Sequence, residues 1–378
     1  MSRSACKRKR RRKRKAVPTT HRIAVIPGDG VGPEVTAEGL KVLAQASQAF
    51  GFAYETTTFP YGSDHYLATD EFMPQGQLDR FREYDAILLG AIGDPRLPPG
   101  LVERGVIAAL RFGLDLYINL RPIKLYAEHL CPLKGKTPAD VDMVVVRENT
   151  EDLYTGIGGY FKRGTPDEVV IANQIFTRKG CERAVRYAFG LAAKRGKHKK
   201  LTLVDKANAI EVQQIWRRTV EEAAPDFPGV SFDFAYIDAA CMWMVKNPEA
   251  FDVIVTPNLF GDILTDLGAM VQGGMGVAAS GNIHPGKVSL FEPIHGSAPK
   301  YKGKNVVSPI AAIAAVGMML EYLGEARAAA AIESSVAGLL ANKRIPSLDA
   351  SSGLKTSEVG DLVSAELSAS AAASVRAK

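Results

Sequence analysis

Phe251-Asp252-Val253-Ile254-Val255-Thr256 runs through Pro257 into Asn258-Leu259-Phe260-Gly261-Asp262-Ile263-Leu264-Thr265-Asp266, and the remainder of the chain can be read outward from this stretch. The first part is a short apolar run rich in β-branched residues, the pattern of a strand buried on both faces. The second part reads as a helix, on which Asp262 and Asp266, four residues apart, share one face. Two carboxylates that close repel unless a cation or a basic substrate lies between them. A divalent, oxygen-preferring ion such as Mg²⁺ or Mn²⁺ meets that need. The other reading is a helix start, where Asp offsets the macrodipole.

The strand-then-helix pattern recurs. Arg22 to Ile26, Tyr84 to Gly90, Met143 to Val146, Leu201 to Val204 and Val288 to Phe291 read as further strands. Helical patterning runs through Leu40 and Leu43 to about Phe50, then over Cys181 to Ala193, Glu211 to Ala223 and Pro309 to Leu323. Such alternation implies an α/β protein with a largely parallel sheet and flanking helices. The turn Gly28-Asp29-Gly30-Val31-Gly32-Pro33 suggests a dinucleotide fingerprint and fails it, because the third glycine position holds Pro33. No acidic residue follows a second strand at the required distance, so a Rossmann site is excluded and the turn must serve another geometry.

Composition narrows the function classes. A chain of 378 residues with 46% hydrophobic residues has ample core for two lobes. No apolar run has the length of a membrane span, and the N-terminus lacks the apolar stretch of a secretory signal. The net charge of +6 arises from the N-terminus: Lys7 to Lys15 is an unbroken run of basic residues, and Arg3 adds a tenth. Of 47 Lys and Arg, that leaves 37 against 41 Asp and Glu, so the body sits near −4 and is no basic nucleic-acid platform. Residues 1–19 are expected to be a disordered basic tail, for which binding of nucleic acid or an anionic surface without sequence preference is one reading and a targeting arm another. Cys6, Cys131, Cys181 and Cys241 lie far apart with no metal-ligand or redox spacing, so a reducing cytoplasm is the expected compartment.

Arg111, Arg121 and Arg147 stand near ends of strands or helices, where guanidinium groups can grip carboxylates in bidentate fashion. Ordinary surface ion pairs are the alternative for any one of them. Tyr154 follows in a Gly-rich loop. Lys206 ends the strand Leu201 to Val204 in the sequence Asp205-Lys206-Ala207-Asn208, where neighbours can lower its pKa toward that of a general base.

Six segments together resemble the metal-dependent β-hydroxyacid oxidative decarboxylases, the isocitrate/isopropylmalate dehydrogenase family, over residues ~21 to ~360. They are Gly28 to Glu34, Asn119-Leu120-Arg121-Pro122, Arg147-Glu148-Asn149-Thr150-Glu151, Asp205-Lys206-Ala207-Asn208, Asn258 to Asp262, and Glu292-Pro293-Ile294-His295-Gly296-Ser297-Ala298-Pro299. The resemblance implies a two-lobed fold: a large cofactor lobe of residues 20–116 and 274–360 and a small lobe of 117–273; residues 361–378 read as an Ala/Ser-rich C-terminal tail, which by its composition is expected to fray from about Ser364. It implies a homodimer, with a clasp arm built from Thr155 to Lys162 and Glu168 to Gln174. Arg111, Arg121 and Arg147 match the arginines that hold malate-type carboxylates. Tyr154 matches the acid that protonates the enol. Lys206 matches the lysine that helps take the hydroxyl proton and, like the metal ligand Asp238, comes from the partner subunit. Asp262 and Asp266 match the metal ligands of the same subunit, and Glu292, His295, Gly296, Ser297, Ala298, Lys300, Tyr301 and Ser308 match the cofactor loop.

Substrate choice within this family turns on the surface facing the group at the γ position. Here Gly105 to Arg111 offers Val106, Ile107, Ala108 and Ala109, none of them polar, with Ile107 and Ala108 taken as the contacts. A carboxylate there would be desolvated and unpaired, whereas an isopropyl group gains roughly 0.8 kcal/mol per buried CH₂. The expected reaction is therefore oxidative decarboxylation of 3-isopropylmalate to 2-oxo-4-methylpentanoate, a step of leucine biosynthesis. Isocitrate, if Arg104 bends in to pair its third carboxylate, and tartrate or D-malate are the alternatives. For the cofactor, Lys300-Tyr301 resembles NADP-using relatives, in which a cation meets the 2′-phosphate. Asp349-Ala350-Ser351-Ser352-Gly353 resembles NAD-using ones, and the phosphate site would need Arg344 to complete it. NAD is the expected cofactor and NADP the alternative.

Overall fold

The computed structural model describes residues 20–376. The basic run and Cys6 lie outside the described residues.

Among the described residues twelve strands form: β1 (Thr20–Gly28), β2 (Ala53–Thr58), β3 (Ala86–Ala91), β4 (Ile118–Lys124), β5 (Asp142–Glu148), β6 (Gly158–Phe161), β7 (Val169–Ala172), β8 (Lys200–Asp205), β9 (Ser231–Tyr236), β10 (Val253–Thr256), β11 (Ala279–Ile283) and β12 (Ser289–Pro293). Ten of them make one sheet in the order β2-β1-β3-β12-β11-β4-β5-β10-β8-β9. The first four are parallel to one another, as are the last four. Between the two parallel wings, β12, β11, β4 and β5 pair antiparallel. This reversal in mid-sheet departs from a doubly wound Rossmann sheet.

Period-two alternation explains why the wing strands read as unbroken apolar runs. In β1, Ile23 and Val25 join one core cluster with the helices Gly32–Phe50 and Ile310–Tyr322, while Ala24 and Ile26 face Phe59, Phe81 and Leu110 across the sheet. In β10, Val253 and Val255 pack on Trp216 and Phe189, and Ile254 packs on Leu264 and Met244. Both faces of both wings are thus covered by helices.

One sequence expectation changes here. The stretch after Ser364 does not fray: Thr356–Arg376 is one helix, and Val363 and Leu367 are fully buried in the first core cluster. Its Ala and Ser residues read as low complexity, yet Ala is the best helix former, and Val359, Val363 and Leu367 recur at helical spacing on the buried side. The Gly-rich turn does serve another geometry, as its sequence requires. Gly28 and Gly30 adopt positive φ (71° and 56°), and a Cβ would sit 2.0 Å from the Ala91 carbonyl oxygen at Gly28 and 1.9 Å from that of Ser297 at Gly30. Backbone packs on backbone here, which only glycine allows. Between them, Asp29 accepts hydrogen bonds from the Ser63 amide and hydroxyl and from the Gly93 amide. The turn therefore clamps the loop that follows β12 and carries Ser297.

β6 and β7 pair separately as an antiparallel hairpin that stands off the body, with Tyr160, Phe161, Val169, Val170 and Ile171 all exposed. Cys131, Cys181 and Cys241 are free thiols. No helix among the described residues is long and apolar enough to cross a membrane.

Candidate active site

The helix Asn258–Val271 follows β10 directly and presents Asp262 and Asp266 where the wings meet. Three arginines converge on this helix. Arg147, at the end of β5, is buried and donates to Asp262 through Nη1 and to Asn258 through Nε. Arg121, in β4, lies 3.6 Å from both Asp262 and Asp266, and its Nη1 donates to Thr265 Oγ1 at 2.6 Å. Arg111 reaches Glu292 at 3.1 Å, and its buried Nε has no partner. Burial, together with the charges of Arg147 and Arg111, pulls the Arg121 guanidinium down to about 10. Three cations held this close, one with an orphaned donor, favour an anion of more than one charge between them.

Tyr154 sits in a short 3₁₀ turn, Asp152–Thr155, and its hydroxyl donates to Asp262 Oδ2 at 2.7 Å. The Arg147 guanidinium lies over its ring, 5.3 Å from the centroid. Burial and the Asp262 carboxylate push the phenol up to about 12, so it stays protonated and able to donate at neutral pH. Burial works to raise Asp262, but Arg147 and the Tyr154 hydroxyl hold it below the usual carboxylate range. Asp266 is raised by burial, which outweighs Arg121 at 3.6 Å, and by the charge of Asp262.

Lys206 and Asp238 stand apart from this group. They pair with each other at 2.7 Å, and no hydrogen bond or ion pair links them to Asp262 or Tyr154. Among the described residues, no three acidic, His or Cys side chains are placed to hold a metal. Asp262 and Asp266 fit a hard divalent cation in donor type and spacing but leave its shell incomplete in one chain. Met242, Trp243 and Val245 beside Asp238, and Ile263 and Met270 beside the aspartates, are exposed apolar side chains.

The Gly105–Arg111 segment contains a π-helical turn, Arg104–Ala108, which rotates its faces away from those expected of a regular helix. Val106 is therefore not an exposed wall residue; it is fully buried with Leu110. Ala109 faces the opposite way, lining a cavity with Gly105 and Phe72. Ile107 and Ala108 remain half-buried on the turn before Arg111. Arg104 is exposed, its guanidinium against Gly100.

In the loop expected to hold the cofactor, Ser297 and Glu292 are buried, and His295 has a buried Nε2 without a partner while its Nδ1 lies 3.0 Å from the Gly296 carbonyl. An orphaned ring nitrogen and a backbone-pinned loop fit a heteroaromatic ligand with hydrogen-bonding edges. Ser308 does not face outward; it is buried at the start of the helix Ile310–Tyr322, near the Ile310 amide (3.4 Å). Lys300 lies over the Tyr301 ring at 4.8 Å, with Lys304 at 5.9 Å. Arg344 pairs with Glu366 instead of completing a phosphate site.

Sequence reasoning missed a buried file of carboxamides. Arg121 Nε donates to Asn119, Asn119 to Asn282, Asn282 to Glu292, and Arg111 donates to the same Glu292 oxygen. Asn149 joins at Asn282. The signal was weak, since each Asn reads singly as a turn residue and only the antiparallel β4–β11 register brings Asn119 opposite Asn282. A cavity of about 710 Å³ lies elsewhere, bounded by Tyr187, Met318, Tyr322 and Val336, and holds none of the candidate residues.

Comparison with known proteins agrees with this geometry. Residues 22–363 match the isocitrate/isopropylmalate dehydrogenase family. A 3-isopropylmalate dehydrogenase of Thermobifida fusca is 50% identical over 321 residues, 84% of this chain and 90% of the relative. One from Rhodococcus opacus is 48% identical over 349 residues, 92% of this chain and all of the relative. The crystal structure of isocitrate dehydrogenase from Methylococcus capsulatus superimposes with a TM-score of 0.82 at 36% identity, covering 92% of this chain and 99% of that one. The matching family and these relatives thus define an oxidoreductase, a decarboxylating dehydrogenase. The chain belongs to the isocitrate/isopropylmalate dehydrogenase family.

Proposed function

We propose that this chain oxidises 3-isopropylmalate at C2 with NAD and a divalent cation, then releases CO₂ to give 2-oxo-4-methylpentanoate, as in leucine biosynthesis. The observation that carries the choice of substrate is the half-buried, wholly apolar pair Ile107 and Ala108 on the turn before Arg111. A γ-carboxylate against that wall would be desolvated without a partner, and Arg104 is turned toward Gly100. The relatives named above, at 48–50% identity, carry the same substrate in their names.

Arg111, Arg121 and Arg147 bind and orient the two carboxylates. Lys206 from a second copy takes the C2 hydroxyl proton as hydride leaves. The C3–carboxylate bond then breaks, its electrons moving to the C2–C3 bond, and Tyr154 returns a proton to C3. Asp262 and Asp266, with Asp238 of the second copy, would hold Mg²⁺ or Mn²⁺, which when bound supplies the electrophile at the C2 oxygen. The exposed β6–β7 hairpin and the apolar surfaces near Asp238 and Asp266 support a homodimer with shared sites.

The substrate reading is tested by initial rates on 3-isopropylmalate, isocitrate, homoisocitrate, tartrate and D-malate with Mg²⁺. The kcat/KM for 3-isopropylmalate is expected to exceed that for isocitrate by ~10²-fold or more, the scale of one unpaired buried carboxylate. Faster turnover of isocitrate would refute the apolar wall. For the cofactor, NAD is expected to outrun NADP, because Arg344 is held by Glu366 and Lys302 lies 3.5 Å from Asp64. Lys300→Asp should then cut residual NADP use about tenfold while sparing NAD, the scale of one charge-assisted contact. An unchanged ratio of the two cofactors would show that Lys300 does not meet the ribose phosphate.

A further inference from the structure

The helix that carries Asp262 has an unusual start. Its N-cap is Pro257, which has no side chain able to cap, and the Leu259 amide in its first turn needs an acceptor from elsewhere. Asp152 supplies it: its Oδ2 accepts from Leu259 N at 2.9 Å. Its Oδ1 accepts from Leu153 N at 2.9 Å, and its own amide donates to the Ile175 carbonyl. Asp152 is fully buried and holds φ at +70°, a left-handed conformation that costs a non-glycine residue energy and persists where surroundings enforce it. Next to it, the Glu151 carbonyl accepts from Asn258 Nδ2 at 3.1 Å.

Tyr154 lies two residues beyond Asp152, and Asp262 lies three beyond Leu259. The loop and the helix are therefore fastened at two levels about one turn apart: by Asp152 to Leu259 and the Glu151 carbonyl to Asn258 below, and by Tyr154 to Asp262 above. The upper contact must open when Asp262 and Tyr154 engage a substrate. The lower one involves no group needed for binding and can persist. We propose that Asp152 is a positioning residue: by capping the aspartate helix from the Tyr154 loop, it keeps the phenol beside the reacting carbon once Asp262 is engaged. The proposal rests on Tyr154 being the proton donor.

The test compares full-length Asp152→Ala, Asp152→Gly and Asp152→Asn with wild type and Tyr154→Phe. Gly relieves the left-handed backbone, and Asn tolerates it while keeping one acceptor, so a folded variant is available even if Ala misfolds. Turnover is run in D₂O, and the product is captured at once by reductive amination, so that NMR reads which face of the former C3 received deuterium. Wild type is expected to deuterate one face. Asp152→Gly and Asp152→Ala should lower kcat by ~10²-fold, as for a reacting group misplaced by about 1 Å, with KM for acid and cofactor little changed. Both should spread deuterium over the two faces, and Asp152→Asn should fall between. One-face deuteration with wild-type kcat in the folded Asn and Gly variants would overturn the proposal. So would a loss confined to KM. If Tyr154→Phe itself keeps kcat and one-face deuteration, the assignment of Tyr154 fails first and the role of Asp152 falls with it.

Discussion

Asp266→Asn is expected to lower kcat by ~10³-fold or more, equivalent to about 4 kcal/mol of lost transition-state stabilisation, while leaving Tm at or slightly above that of the wild type. The two effects have one cause. Folding raises the Asp266 carboxyl, through burial and the charge of Asp262, so the ionised form is disfavoured in the folded state. For an acid raised in this way, stability is lost as pH climbs from the unfolded value through the folded one, and at neutral pH the charge works against folding. Removing it should relieve the fold and remove a ligand from the cation site. Side-by-side measurement of kcat against Mg²⁺ and of thermal unfolding decides the point. A large drop in Tm with near-normal activity would make Asp266 a structural residue, held by its 3.6 Å contact with Arg121.

The second large effect concerns sharing between subunits. Lys206→Ala and Tyr154→Phe should each reduce activity by ~10²–10⁴-fold as homodimers, the usual worth of a positioned acid or base. Mixed by co-expression, they should recover about a quarter of wild-type activity, since half the dimers are mixed and each of those has one intact site. The expectation follows from Lys206 pairing with Asp238 and making no bond to the Asp262 group within its own chain. If every site instead used its own Lys206 and Tyr154, no mixture of the two variants would exceed the sum of its parts.

Where both faces of a strand are covered by helices, the sequence is plain to read. Val253–Thr256 and Ala86–Ala91 are continuous apolar runs because each alternate residue enters a different core. β4 does not read as a strand, because Asn119, Arg121 and Pro122 break the apolar pattern; antiparallel neighbours and the buried carboxamide file stabilise it. Arg111, Arg121, Arg147, Asp262 and Asp266 stand out in the sequence by residue type and spacing, whereas Tyr154 takes its role only from the family resemblance. Their convergence depends on the sheet reversal at β11 and β4, which no local pattern reveals. Val106 reads as an exposed wall residue on a regular helix, but a π-turn shifts the register and buries it. Asp152 escaped notice because a single Asp in a loop has no signature until the Pro257 start leaves an amide for it to cap.

The most direct measurement is the stoichiometry of one reaction: full-length protein, 3-isopropylmalate, Mg²⁺ and NAD, followed for reduced cofactor, CO₂ and the keto acid. Oxidation followed by decarboxylation at one site predicts one NADH and one CO₂ for each 2-oxo-4-methylpentanoate formed. NADH without CO₂, or turnover of isocitrate but not of 3-isopropylmalate under the same conditions, would contradict it.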